Sequence, residues 1–246
     1  VELGTECVLH QKNPWDELAV ETLKDIAVLF NRCRFLSAKE MSKIAAGRSP
    51  SKKPLFQAIE DVCDAFCKWD NFLYQPALKM LQQAAGKLRG ICSASLDPNL
   101  LAFANSLAQS LPVLEAVCTD MQVFTQAREP GSLGNGTAGI AIIKDLVANA
   151  VRRAEIEHKH DDAVARLYSA IEKHAKLRLK AAHGIDNSNV DLALVKDDSF
   201  REMLKKEYSC VRDGVEVIQV PLHKSYELLM VNGDEVRLAY GERRYR

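Results

Sequence analysis

The chain has 246 residues, with 33 Lys and Arg balancing 33 Asp and Glu, so it carries no net charge at pH 7. That balance removes any global argument for an acidic partner. A hydrophobic share of 47% with 27% charged residues excludes a disordered or fibrous chain and leaves room for one or two cored domains. Seven irregularly spaced cysteines exclude a disulfide framework and point to free thiols in a reducing compartment. No apolar run approaches the ~18 residues of a membrane span, and no signal peptide opens the chain. The start at Val1 suggests a processed or trimmed product, and a cytoplasmic location is expected.

In chain order, residues 1–12 read as a lead-in, after which Asn13-Pro14 supplies a cap and an N1 proline for WDELAVETLKDIAVLF. Ser37 and Glu40 form a capping-box pattern for a short helix ending near Gly47. Pro54, Pro76, Asp97-Pro98 and Pro112 each mark a further helix start with a short connection before it. Residues 14–127 therefore predict a bundle of about six helices. Trp15, Phe30, Phe66, Trp69, Phe72 and Phe103 are its expected core aromatics. EPGSLGNGTAG at 129–139 reads as a hinge, since a phosphate loop would need a following Lys-Ser/Thr and a leading strand.

Residues 140–184 contain no proline and are rich in Ala, Leu, Lys, Arg and Glu, which predicts one long helix of about 65 Å. Apolar residues sit at its two ends, while Glu155–Asp162 is polar on every side except Ile156. Arg152, Lys159, Arg166, Lys173 and Lys180 recur every seven residues, which places them on one stripe of such a helix. With Lys144 as an outlying contact, this stripe is the candidate RNA-binding site, a rail for phosphates. The alternative is a solvated face, since Glu155 with Lys159 and Asp162 with Arg166 are favourable i,i+4 pairs.

IDNSNVD then reads as a turn-rich connector, and Asp198 opens a short amphipathic helix. From Gly214, VEVIQVPL, YELLMV and DEVRLAY read as strands, with Asn232-Gly233 as a hairpin turn. The closing GERRYR either stacks on nucleic acid or frays into solvent.

His158, His160 and Asp161 invite a metal-dependent phosphohydrolase reading. The Glu155–His158 spacing suits a di-iron helix, but no matching motif lies on another helix. No Gly-x-Ser-x-Gly elbow and no Cys/His nucleophile context is present, so the sequence offers no catalytic residue, no resident metal and no cofactor.

Asn135-Gly136, Ile142-Ile143-Lys144, Glu155-Ile156-Glu157 and Val164 with Arg166 stand in an order that resembles the shaft of coronavirus non-structural protein eight. Arg212-Asp213-Gly214, Pro221-Leu222, Leu228–Val231 and Ala239-Tyr240-Gly241 resemble pieces of that family's head. Leu167 stands where the family carries Lys after the shaft Arg, and Asp145, Val147 and Ala148 replace a Lys-rich step. The resemblance covers the second half and implies a non-catalytic, RNA-binding cofactor of a viral RNA polymerase. Its implied partners are RNA, a polymerase subunit and other replication proteins, with a further oligomer in view and no membrane insertion. The competing expectation from another class is a helical scaffold or adaptor that binds protein through the apolar ends of the shaft. The expected fold is mainly α: a helical bundle at 1–128, the hinge at 129–139, the shaft at 140–184 and a small α+β head at 185–246.

Overall fold

A computed structural model describes residues 13–94, 97–126 and 139–235. The protein is mainly α with one small antiparallel sheet. The chain divides into two units, Val1–Glu115 and Ala116–Arg246.

The first unit holds α1 (Pro14–Glu17), α2 (Ala19–Asn31), α3 (Phe35–Arg48), α4 (Lys53–Asp70), α5 (Tyr74–Ala94) and most of α6 (Pro98–Gln126). Asn13 caps α1 as its sequence predicts, accepting from the Trp15 amide at 3.0 Å, and Asp97 caps α6 through the Asn99 amide at 2.9 Å. α4 packs on both α3 and α5, burying Phe56, Ile59, Val62, Leu81 and Leu88. Phe30, Phe35, Phe66 and Phe103 meet edge-on or tilted at 4.9–6.0 Å between ring centres. Two expected core aromatics lie outside: Trp15 lies under the Arg48 guanidinium, 4.5 Å from its ring centre, and Phe72 occupies the α4–α5 turn at φ 62°. Pro112 starts no new helix, because α6 runs straight through it. By length and composition α6 could also cross a membrane, from Pro98 to Gln122. Within it, Leu107 and Leu114 are buried.

The second unit is built on α7 (Ile140–Val151) and α8 (His160–His183), followed by α9 (Asp198–Tyr208), β1 (Ser209–Arg212), β2 (Val215–Ile218) and α10 (Leu222–Val231). Asp120 accepts from the amides of Ala141 and Ile142 at 2.7 and 3.2 Å, supplying the N-terminal cap that Gly139 lacks. The expected unbroken helix over 140–184 is interrupted. Arg152–Ile156 widens into a π-turn, His158 takes φ 58°, and α8 then packs back on α7. Nothing apolar holds Glu155–Asp162 to a core as one rod, and the amides of Glu157 and Lys159 bond back to the carbonyls of Arg152 and Arg153 at 3.1 and 2.8 Å.

Leu179, Ile185, Val190, Val195, Leu204, Ile218, Leu228 and Leu229 form the core beneath. The hairpin lies one step earlier than the sequence suggests. Its turn is Asp213-Gly214, both at positive φ, and it pairs Ser209 with Ile218 through Arg212 with Val215. YELLMV belongs to α10, and Asn232-Gly233 ends that helix: Gly233 at φ 80° turns the chain so that the Asp234 amide bonds the Leu229 carbonyl at 2.9 Å. Asn-Gly suits a helix stop as well as a hairpin, because both need a left-handed residue. The lead-in, most of the hinge, DEVRLAY beyond Glu235 and the GERRYR tail lie outside the described residues.

Gly139 sits at φ 84°, and a Cβ there would lie 2.3 Å from Leu177 Cδ1. Gly139→Ala should therefore lower the urea midpoint, corresponding to about 2 kcal/mol of lost stability.

Candidate active site at the α7–α8 turn

The interruption gathers charged groups that a straight helix would scatter. Arg153 is buried, and its Nη1 donates to Glu157 Oε2 at 2.8 Å while its Nε lies 3.2 Å from Asp162 Oδ2. Arg166 approaches the same Asp162 carboxylate with two donors, Nε and Nη2, each at 3.1 Å. Lys159 reaches Glu157 Oε2 at 2.7 Å. Two arginines thus clamp Asp162 in the first turn of α8, where a carboxylate also suits the helix dipole, and draw that turn onto the end of α7.

On this clamp the loop presents His158, exposed, with His160 two residues on at 6.5 Å between ring centres. Arg152 stands half-buried beside Arg153 on the π-turn. A cationic group able to hold a phosphate and an imidazole able to exchange a proton are therefore presented within seven residues of chain. Imidazole titrates near neutrality in general, which suits it to both acid and base work.

The expected phosphate rail is distributed differently. Lys144 is exposed on α7, Arg152 sits on the π-turn and Lys159 in the loop, while Arg166, Lys173 and Lys180 follow on α8. Because α8 folds back, the six do not share one straight rod, and Arg166 is committed to Asp162. The sequence reading missed Arg153 and Glu157 as partners and grouped His158 with metal ligands. The available signal was an Arg–His spacing inside a stretch with no apolar face. Among the described residues, no group of three or more His, Cys, Asp or Glu could hold a metal ion.

Residues 18–114 match the family model of the Csm6 6H domain, and residues 135–246 match that of the Csm6 HEPN domain. No curated protein matches the chain. These matches overturn the resemblance to coronavirus non-structural protein eight. The shaft and head motifs that carried it fall inside the stretch similar to a HEPN domain, and the shaft is a folded hairpin. The viral polymerase-cofactor function, the polymerase and replication partners and the expectation of a non-enzyme fall with it, as do the scaffold and metal-dependent phosphohydrolase readings.

Arg153→Ala would remove a buried cation shared by Glu157, whose side chain is 11% exposed, and Asp162. Thermal or urea unfolding should show a loss of about 3 kcal/mol, as for a broken buried pair. In its two units in turn, the chain is similar to the 6H and the HEPN domains of Csm6.

Proposed function

We propose that the protein is a ribonuclease working in a type III CRISPR response, with the α7–α8 turn as its cleavage site. The observation that carries this reading is the exposed His158 on the same turn as Arg152, within the stretch similar to a Csm6 HEPN domain. RNA brings its own nucleophile, the 2′-hydroxyl, so the protein has to move protons and steady charge.

In this reading His158 accepts the 2′-hydroxyl proton as the 2′-oxygen attacks the phosphorus. Arg152 holds the non-bridging oxygens as negative charge builds on them. The phosphorus–O5′ bond then breaks and the 5′-oxygen takes a proton, leaving a 2′,3′-cyclic phosphate and a 5′-hydroxyl. Arg153 acts as a positioning residue, since Glu157 and Asp162 already occupy it. Lys173 and Lys180 add positive potential along α8 for the RNA backbone. Cyclic oligoadenylate is the activating signal this reading brings with it, and the cytoplasm its place of action.

Breaking the O5′ bond calls for an acid as well as a base. Directly after His158, α8 exposes Val164, Leu167, Tyr168 and Ile171, between 41% and 64% accessible, as one apolar stripe. A second copy of the chain on that stripe would set a second His158 near the first and supply the missing proton.

His158→Asn tolerates the left-handed backbone while removing the imidazole. It should lower cleavage of a single-stranded RNA by 10²–10⁴-fold and leave binding of a non-cleavable 2′-O-methyl RNA unchanged. Wild-type cleavage of DNA as fast as RNA would defeat the mechanism. A double change, Leu167→Glu with Ile171→Glu, should halve the mass seen in sedimentation and lower cleavage at least tenfold, with helical content retained.

A further inference from the structure

At the end of the α7–α8 hairpin away from His158, the two helices line a cavity of about 450 Å³. Ile140, Ile143 and Leu177 give it an apolar wall, and Lys144, His174 and Arg178 give it polar groups. The closeness of Gly139 to Leu177 fixes its place, because both stand far from the turn along their own helices.

Each polar group is prepared differently. Arg178 is anchored by Asp234, whose side chain is 1% exposed: Nη2 donates to Oδ1 at 2.8 Å, while the other carboxylate oxygen lies 3.2 Å from His183 Nε2. The buried Arg178 Nε meets no acceptor among the described residues. Lys144 is exposed and forms no ion pair among the described residues. His174 stacks on Tyr226, with Nδ1 3.0 Å from the phenol oxygen, which donates its own proton to the Ile171 carbonyl at 3.2 Å. Nδ1 is thereby engaged with Tyr226, and Nε2 is the ring nitrogen that remains. Burial, aided by the Arg178 charge, lowers the pKa of His174 and favours the neutral ring.

An apolar wall, one imidazole and two cations suit a base together with its phosphate. We infer that this cavity is a second subsite for the RNA substrate, taking a base against Ile140, Ile143 and Leu177 and a phosphate against Lys144 and Arg178. It rests on the ribonuclease reading above. The limb from Lys144 to His158 rises about 1.5 Å per residue, roughly 20 Å in all, so only an oligonucleotide reaches both sites. The subsite thus sets a minimum substrate length and leaves the chemistry to the turn.

The test uses the full chain and its Lys144→Glu variant, which changes an exposed side chain. Binding is read with a 2′-O-methyl RNA 12-mer, and turnover with a cleavable 12-mer and a cleavable dinucleotide. The variant should bind the 12-mer about tenfold more weakly. Its KM for the 12-mer should rise about tenfold relative to that for the dinucleotide, with kcat for the 12-mer kept. Unchanged 12-mer binding, or an equal KM rise for both substrates, would overturn the subsite. So would adenosine monophosphate shielding Lys144 from acetylation as well as the 12-mer does, since the cavity would then be a free-nucleotide site. Failure of the ribonuclease reading is seen separately, as absent cleavage by the wild-type chain, while the non-cleavable 12-mer still decides the binding result.

Discussion

The second unit depends on one carboxylate, Asp162, shared between Arg153 at the end of α7 and Arg166 on α8. Without that attraction, nothing in the polar stretch around it would decide between a straight rod and a reversal. With it, the first turn of α8 is drawn onto α7, Arg153 becomes buried, and Glu157 closes the other side of the guanidinium. The interaction is charge-assisted, with the arginine side chains 10% and 11% exposed and the carboxylate 40% exposed, so most of the cost of breaking it falls on the buried guanidiniums. The loop carrying His158 is displayed by this clamp.

At the other end of the hairpin, Asp234 plays the matching part. It joins Arg178 and His183 of α8 to the end of α10, while Tyr226 of α10 reaches His174 and the Ile171 carbonyl. Side chains therefore tie α8 to α7 at the turn and to α10 at its other end, while Leu146, Ala150, Ala170 and Ala175 are buried small or aliphatic groups of the two helices. Small residues let the helices approach closely, which is why Gly139 faces Leu177 with no room for a Cβ.

Much of the helical architecture was legible in the residues. Asn13-Pro14 and Asp97 announced their helices through capping chemistry that acts locally, and the turn-rich stretch after Gly184 is indeed held by Asp186 and Ser188. The reversal at His158 was not legible, because helix propensity sums over a window and registers neither a π-turn nor an ion-pair clamp. A seven-residue cation repeat is meaningful only on a continuous helix, so one unforeseen left-handed residue dissolved the rail. Asn232-Gly233 misled for a related reason: the left-handed geometry it favours ends a helix as readily as it turns a hairpin. The candidate site was half visible, with His158 and His160 noticed for metal binding and Arg153 passed over.

The groups of the proposed cleavage site, with the clamp beneath them, all lie between Arg152 and Arg166. Contacts of such short sequence separation close small loops and surrender little chain entropy. A chain collapsing from the denatured state can thus assemble this turn before its distant partners, such as His174 with Tyr226, have met. The chemistry-bearing corner is kinetically cheap to regain after unfolding, whereas the cavity at the open end waits on the slowest pairings.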